Sequence, residues 1–169
     1  MPLPVVAVVG APNVGKSTLF NRMLGRRKAI VSDIPGVTRD RIVALAELSP
    51  GRPAQWVDTG GLVPGESGIG INDQVHIALE ACDLALFVVD GTDGATSADL
   101  RVGEELRRTG RPVVLVVNKA DTRVAREGVG EFWGLGFGEP VLVSAEHGIG
   151  FEELFQRIEA ALPPQVGEP

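Results

Sequence analysis

The stretch Gly10-Ala11-Pro12-Asn13-Val14-Gly15-Lys16-Ser17 decides how the chain folds. It fits the spacing G-x-x-x-x-G-K-[ST], directly after an apolar run (residues 3–9) and directly before a helical stretch (residues 16–24). That strand–loop–helix context is the one the pattern requires. Glycines let the backbone wrap tightly, so the N–H groups of Val14, Gly15 and their neighbours converge on phosphate oxygens. The helix N-terminus adds its dipole. Lys16 brings a positive charge between the β- and γ-phosphates of a triphosphate. The Ser17 hydroxyl is placed to ligate magnesium, and Thr18 to touch the α-phosphate. A purely structural glycine-rich turn is the weaker reading in this context.

Outward from the loop, short β-branched apolar runs alternate with helical stretches. Residues 84–90 and 112–118 read as buried strands, with a helix over 97–109 between them. Gly110 suits the C-cap of that helix, and Pro112 blocks its continuation. Residues 41–48 and 54–57 flank Ser49-Pro50-Gly51-Arg52-Pro53, a hairpin connection. A short strand at 140–143 and an amphipathic helix at 152–162 complete the order. Such βαβ units imply a doubly wound α/β fold with a mostly parallel, six-stranded sheet, one edge strand antiparallel through the hairpin. Residues 1–162 are expected to form one domain and residues 163–169, Pro-Pro-Gln-Val-Gly-Glu-Pro, a truncated linker. Two loops, 26–40 and the glycine-rich 60–70, are long for a compact domain and point to function or mobility.

Composition narrows the class. Of 169 residues, 44% are hydrophobic, enough for one real core, and the net charge of −6 disfavours general attraction to nucleic acid or anionic membrane. Arg22, Arg26, Arg27 and Lys28 form a basic cluster that reads as a solvated loop. The single cysteine, Cys82, cannot form an internal disulfide and reads as a buried structural thiol of a cytoplasmic protein. The start Met1-Pro2-Leu3-Pro4 is no signal peptide, and no apolar run approaches a membrane span. No membrane contact is expected, and the isolated domain should be a monomer.

Further motifs name the ligand. Asp58-Thr59-Gly60-Gly61 follows a strand, and a carboxylate at a strand's carboxyl end faces the ligand crevice. There Asp58 can hold magnesium through water, and the Gly61 N–H can meet the γ-phosphate. Asn118-Lys119-Ala120-Asp121 follows another apolar strand. Asp121 can accept two hydrogen bonds from guanine, at N1–H and the 2-amino group, that adenine cannot supply. Lys119 can lie over the base plane, and Asn118 can brace the loop and meet the base edge. An aspartate capping a helix after a strand would look the same in isolation. Ser144-Ala145-Glu146 after the last strand favours the guanine reading, with the Ala145 N–H expected to reach guanine O6.

With these motifs the chain resembles the first GTPase domain of the Der (EngA) family of bacterial ribosome-assembly GTPases. The matching strings are residues 10–17, Pro35-Gly36-Val37-Thr38-Arg39-Asp40, residues 58–62, residues 118–121, Leu135-Gly136-Phe137-Gly138-Glu139-Pro140 and Ser144-Ala145-Glu146-His147-Gly148. The last two are the part most specific to that family. The resemblance implies a P-loop NTPase of the small-GTPase-like kind that cycles between GTP and GDP, slowly. It implies service to the large ribosomal subunit through a longer protein with a second GTPase domain and a KH-like domain. It also implies that Thr38 ligates magnesium and that both long loops are switches. Lys16, Thr38 and Gly61 are the expected catalytic residues. Leu62 stands where many GTPases carry a water-orienting glutamine, which leaves room for potassium as a cofactor on Asn13. It also keeps open an alternative, a guanine-nucleotide-binding module with little turnover. His147 is expected to brace the base loop rather than to do chemistry; no role is assigned to His76. Ile149 departs from the family pattern, where a polar or basic residue is expected.

Overall fold

The computed structural model describes residues 3–12, 14–26, 30–31, 42–59 and 79–162. Its elements run β1 (Val5–Gly10), α1 (Lys16–Arg26), β2 (Ile30–Val31), β3 (Ile42–Ser49), β4 (Arg52–Asp58), β5 (Leu84–Asp90) and α2 (Ser97–Thr109). They continue with β6 (Val113–Asn118), α3 (Arg123–Glu127), α4 (Gly130–Trp133), β7 (Val141–Leu142) and α5 (Phe151–Ala161). The sheet order is β2-β3-β4-β1-β5-β6-β7. β4, β1, β5, β6 and β7 are parallel neighbours, whereas β3 runs antiparallel to β4. The six strands expected from the sequence are therefore present. A two-residue strand, β2, extends them, antiparallel to β3. It falls in a stretch where no element could be read from the sequence.

Burial on both faces explains the continuous apolar runs. All seven residues of β5 are buried. Leu84, Leu86 and Val88 face one core with Val6, Val8, Val114 and Val116; Ala85, Phe87 and Val89 face the other with Ala7, Val9, Leu115 and Val117. The first core is covered by α1 through Leu19, Phe20, Met23 and Leu24, and by α5 through Phe151, Leu154, Phe155 and Ile158. Those spacings put each set on one helix face. The second core is closed by Leu106 of α2, Phe132 of α4, Leu79, Cys82 and Leu135. Each fully buried aliphatic or Phe side chain contributes roughly 1.5–3 kcal/mol relative to exposure.

Local signals set the ends. Thr96 accepts from the Asp99 N–H and Asp99 accepts from the Thr96 N–H, a reciprocal cap that starts α2 at Ser97. Gly110, at φ 69°, ends it. The hairpin is tighter than expected. Pro53 lies inside β4, opposite Glu47, where the register shifts between Glu47 and Ser49. Proline is tolerated at such an irregularity because the ladder there is already interrupted. The short helices α3 and α4 carry no long apolar period and were not foreseen.

Residues 135–140 are tied down from both sides. Arg107 donates to the Leu135 carbonyl at 2.6 Å and stacks 5.4 Å over the Phe137 ring, while Arg157 donates to the Glu139 carbonyl at 2.6 Å. Phe137 in turn meets Phe87 edge-on. Cys82 is buried as expected. Its thiol donates to the Leu79 carbonyl, and burial pushes its pKa up to about 11.

Gly150 starts α5 at φ 87°, and a Cβ there would collide with the Leu142 carbonyl oxygen. Gly150→Ala should therefore cost at least about 2 kcal/mol, from left-handed strain plus the backbone collision. In thermal unfolding this should read as a Tm lower by about 4–8 °C. An unchanged Tm would show that the turn relaxes freely.

Candidate functional site

The carboxyl ends of β1, β4, β5 and β6 lie along one edge of the sheet. Val8 pairs with Asp58 and Asp90 pairs with Asn118 across neighbouring strands. That edge gathers Lys16, Ser17, Asp58, Asn118 and, on the following loops, Lys119 and Asp121.

The phosphate loop leaves β1 at Gly10, where a Cβ would collide with the Val88 carbonyl. Gly15, at φ 94°, has its missing Cβ replaced by the Asn118 amide. The loop curls around Lys16, whose Nζ donates to the Gly10 and Ala11 carbonyls at 2.7 Å each. Lys16 is only 8% exposed, and among the described residues no salt bridge reaches it. Burial lowers its pKa, and the charge of Asp58 partly offsets that. A buried ammonium held only by neutral oxygens is a strong attractor for an anion.

Ser17 and Thr18 are exposed at the start of α1. The Ser17 hydroxyl donates to Asp58 Oδ2 at 3.3 Å. Asp58 itself is buried, and Thr59 fastens the chain after it through a 2.6 Å bond from its hydroxyl to the Val8 carbonyl. A hydroxyl and a carboxylate so close together supply two hard oxygen donors, which fits magnesium with phosphate and water completing the shell. Asn13, Thr38, Gly61, Leu62 and His76 lie outside the described residues, as do both stretches expected to switch, apart from residues 26, 30 and 31 of the first.

On the base side, the Asn118 amide donates to the Val14 carbonyl at 2.9 Å and accepts from the Ala145 N–H at 2.9 Å. One side chain thus joins the phosphate loop to the loop at 144–146. The Ala145 N–H, expected to reach guanine O6, is therefore already engaged by Asn118 Oδ1. The Ala120 N–H donates to the Val143 carbonyl, which ties the two base-side loops together. Reciprocal bonds between Ser144 and Ile149 close the second loop at its base. Ile149 itself is 47% exposed, so the departure there burdens no core.

Lys119 stands at φ 62° and pairs with Asp90 at 2.7 Å. Burial pushes the Asp90 carboxyl up, but bonds from Lys119 and Thr92 outweigh it and hold it below the usual range. Asp90 was not singled out from the sequence. The signal was present, since Asp90 ends an apolar strand as Asp58 does. Asp121 is exposed toward solvent, with His147 Nε2 3.4 Å from its Oδ2. His147 thus touches the expected base reader directly rather than only its loop. Arg22 corrects the reading of the basic cluster. It is not free in solvent but donates to the Ala145 carbonyl at 2.9 Å and to the Glu146 carbonyl at 2.6 Å.

A cationic cradle at the end of a central parallel strand, joined by one amide to an Asn-Lys-x-Asp loop, defines the P-loop GTPase class of domain. The chain belongs to the 50S ribosome-binding GTPase family, whose pattern matches residues 5–119. It is 49% identical over 167 residues to the GTPase Der of Myxococcus xanthus, covering 96% of this chain and 36% of that protein. With the GTPase Der of Levilactobacillus brevis the identity is 46% over 171 residues, covering 100% and 39%. The chain therefore spans well under half the length of these relatives. Among solved structures, Era of Aquifex aeolicus bound to GDP and aluminium fluoride matches with a TM-score of 0.76 at 31% identity. That match covers 100% of this chain and 59% of Era. The cytosolic domain of the T. maritima FeoB iron transporter in a GDP form matches at 0.70 and 26% identity, over 98% and 68%. Among the described residues no helix is long and apolar enough to cross a membrane.

Asn118→Ala should leave the Val14 carbonyl and the Ala145 N–H buried without partners. At about 1–3 kcal/mol for each orphaned group, the nucleotide-free domain should lose roughly 2–5 kcal/mol of stability in urea unfolding. A loss below about 1 kcal/mol would mean that water or another group replaces the amide.

Proposed function

We propose that this domain binds GTP with magnesium and hydrolyses it slowly, as a molecular switch within a longer protein that serves assembly of the large ribosomal subunit. The observation that carries the reading is the Asn118 bridge, which couples a phosphate cradle to a base loop of guanine-reading composition. In this reading residues 1–162 are the working domain, and residues 163–169 begin a linker to further domains. The ribosomal part rests on the family and on relatives named GTPase Der.

The roles follow from chemistry. Backbone N–H groups of Val14 and Gly15 take the phosphates, and Thr18 takes the α-phosphate. Lys16 exchanges its two neutral carbonyl partners for phosphate oxygens, which relieves a buried charge and stabilises negative charge developing on the γ-phosphoryl group. Ser17, Thr38 and Asp58 would hold magnesium, which would supply neutralisation of phosphate charge. The Gly61 N–H meets the γ-phosphate, and its loss on hydrolysis lets the loop relax, as does the loss of the Thr38 contact. Asp121 reads N1–H and the 2-amino group, and Lys119 covers the base plane. Ser144, Ala145 and Glu146 frame the C6 side, with the Ala145 N–H shared between Asn118 and O6.

A second reading, a binding module with little turnover, is favoured by Leu62, which cannot orient or activate water. Potassium decides between them. A monovalent cation held by Asn13 and the phosphates would neutralise charge where other GTPases place an arginine.

Asp121→Asn should weaken GTP at least about 100-fold, since two bonds to a carboxylate are lost. It should favour xanthosine triphosphate, whose 2-oxo group needs a donor. ATP matching GTP on the unmodified chain in competition binding would end the guanine reading.

Single-turnover phosphate release should be roughly tenfold or more faster in potassium than in sodium at equal ionic strength, and Asn13→Ala should abolish that difference. Negligible release in both salts would leave the binding module. Stimulation that survives Asn13→Ala would remove Asn13 as the ligand.

A further inference from the structure

Arg22 sits on α1, six residues beyond Lys16, on the helix that receives the phosphate loop. Its planar guanidinium spends two N–H groups on consecutive carbonyls of the base loop, Nε on Ala145 and Nη2 on Glu146. The same Ala145 peptide nitrogen is held by Asn118 Oδ1, and the Asn118 amide returns to Val14. The circuit is closed: phosphate loop, Asn118, Ala145, Arg22, α1, and back to the phosphate loop.

Within that circuit Arg22 is the side chain that takes the two carbonyls. The reciprocal Ser144–Ile149 bonds pin only the base of the loop, and the His147 N–H bonds inside it, to Ser144 Oγ. Glu146 and His147 are exposed, and the one contact His147 makes outside the loop among the described residues, to Asp121 at 3.4 Å, touches neither the Ala145 nor the Glu146 peptide. Among the described residues, Asn118 and Arg22 are the side chains that reach Ala145 and Glu146 from other elements. A trans peptide keeps its N–H antiparallel to its C=O. Anchoring the Ala145 and Glu146 carbonyls on α1 therefore fixes the directions of the Glu146 and His147 N–H groups. A cation on a carbonyl also polarises the peptide and strengthens its N–H as a donor.

We propose that Arg22 is a positioning residue for base recognition: by clamping the Ala145 and Glu146 carbonyls to α1, it sets how sharply the domain discriminates at the purine C6 position. This rests on the guanine reading above. Arg22 acts through the loop peptides, not by contact with the nucleotide. A lysine cannot replace it, since a single ammonium lacks the rigid two-pronged fork that spans successive carbonyls.

The test compares GTP with 6-thio-GTP, which keeps N1–H and the 2-amino group but carries a large, poorly accepting sulfur at C6. Binding is measured on the 169-residue chain, whose two cores close within it, for the unmodified protein, Arg22→Ala and Arg22→Lys. The unmodified chain should prefer GTP over 6-thio-GTP. In Arg22→Ala that preference should fall at least about fivefold, in line with the loss of two charge-assisted bonds holding the loop. The ratio of GTP to GDP affinity should not move, because the phosphate cradle is untouched. Arg22→Lys should show the same shift at smaller size, and it serves if the alanine variant does not fold. An unchanged GTP to 6-thio-GTP ratio in both variants would overturn the inference. So would an equal loss for every nucleotide, which marks a merely structural arginine. ATP binding as well as GTP to the unmodified chain is a separate outcome: it overturns the guanine reading itself and the inference with it.

Discussion

The side-chain amide of Asn118 holds the site together, because its two ends are spent on opposite halves of it. One end takes the Val14 carbonyl of the phosphate loop, the other the Ala145 N–H of the base loop, both in surroundings closed to water. Gly15 must lack a Cβ for the amide to reach Val14 at all. Neither aspartate nor leucine could stand at position 118. A carboxylate has no donor for Val14, and an apolar chain would leave two buried backbone groups without partners.

Around that bridge the sheet acts as a rigid frame. β1, β5 and β6 are buried on both faces, so their carboxyl ends are fixed relative to one another with little freedom to adjust. Loops that leave such ends inherit their spacing. This is how Asp58, Asp90 and Asn118, each the last residue of a strand, come to face one crevice despite wide separation in the chain.

Charge in the crevice is arranged in two unlike ways. Lys119 is answered by a buried carboxylate, Asp90, and its left-handed backbone is held in place by that pair. Among the described residues Lys16 bonds to two neutral carbonyls, and burial keeps it below its ordinary pKa. The first lysine is positioned before any ligand arrives. The second is a desolvated cation whose best partner is an anion that the loop is shaped to admit.

The sequence by itself determined six of the sheet's seven strands, the phosphate loop and the motifs at residues 118–121 and 144–146. Continuous β-branched runs can be buried only as central strands, and residues 10–17 and 118–121 carry their chemistry in local order. The C-terminal end of α2 was legible for the same reason, since Gly110 acts within a turn of where it stands. The roles of Arg22 and Asp90 were decided only by the tertiary structure. An arginine on an exposed helix face reads as solvated until the loop 123 residues further on is folded against it. Asp90 reads as a strand end until Lys119, 29 residues away, is brought across from the neighbouring strand. The short helices α3 and α4 were illegible because only Ala125 and Phe132 are buried in them, too few for any period. The engagement of the Ala145 N–H by Asn118 was likewise invisible, because two loops must close on each other before that bond exists.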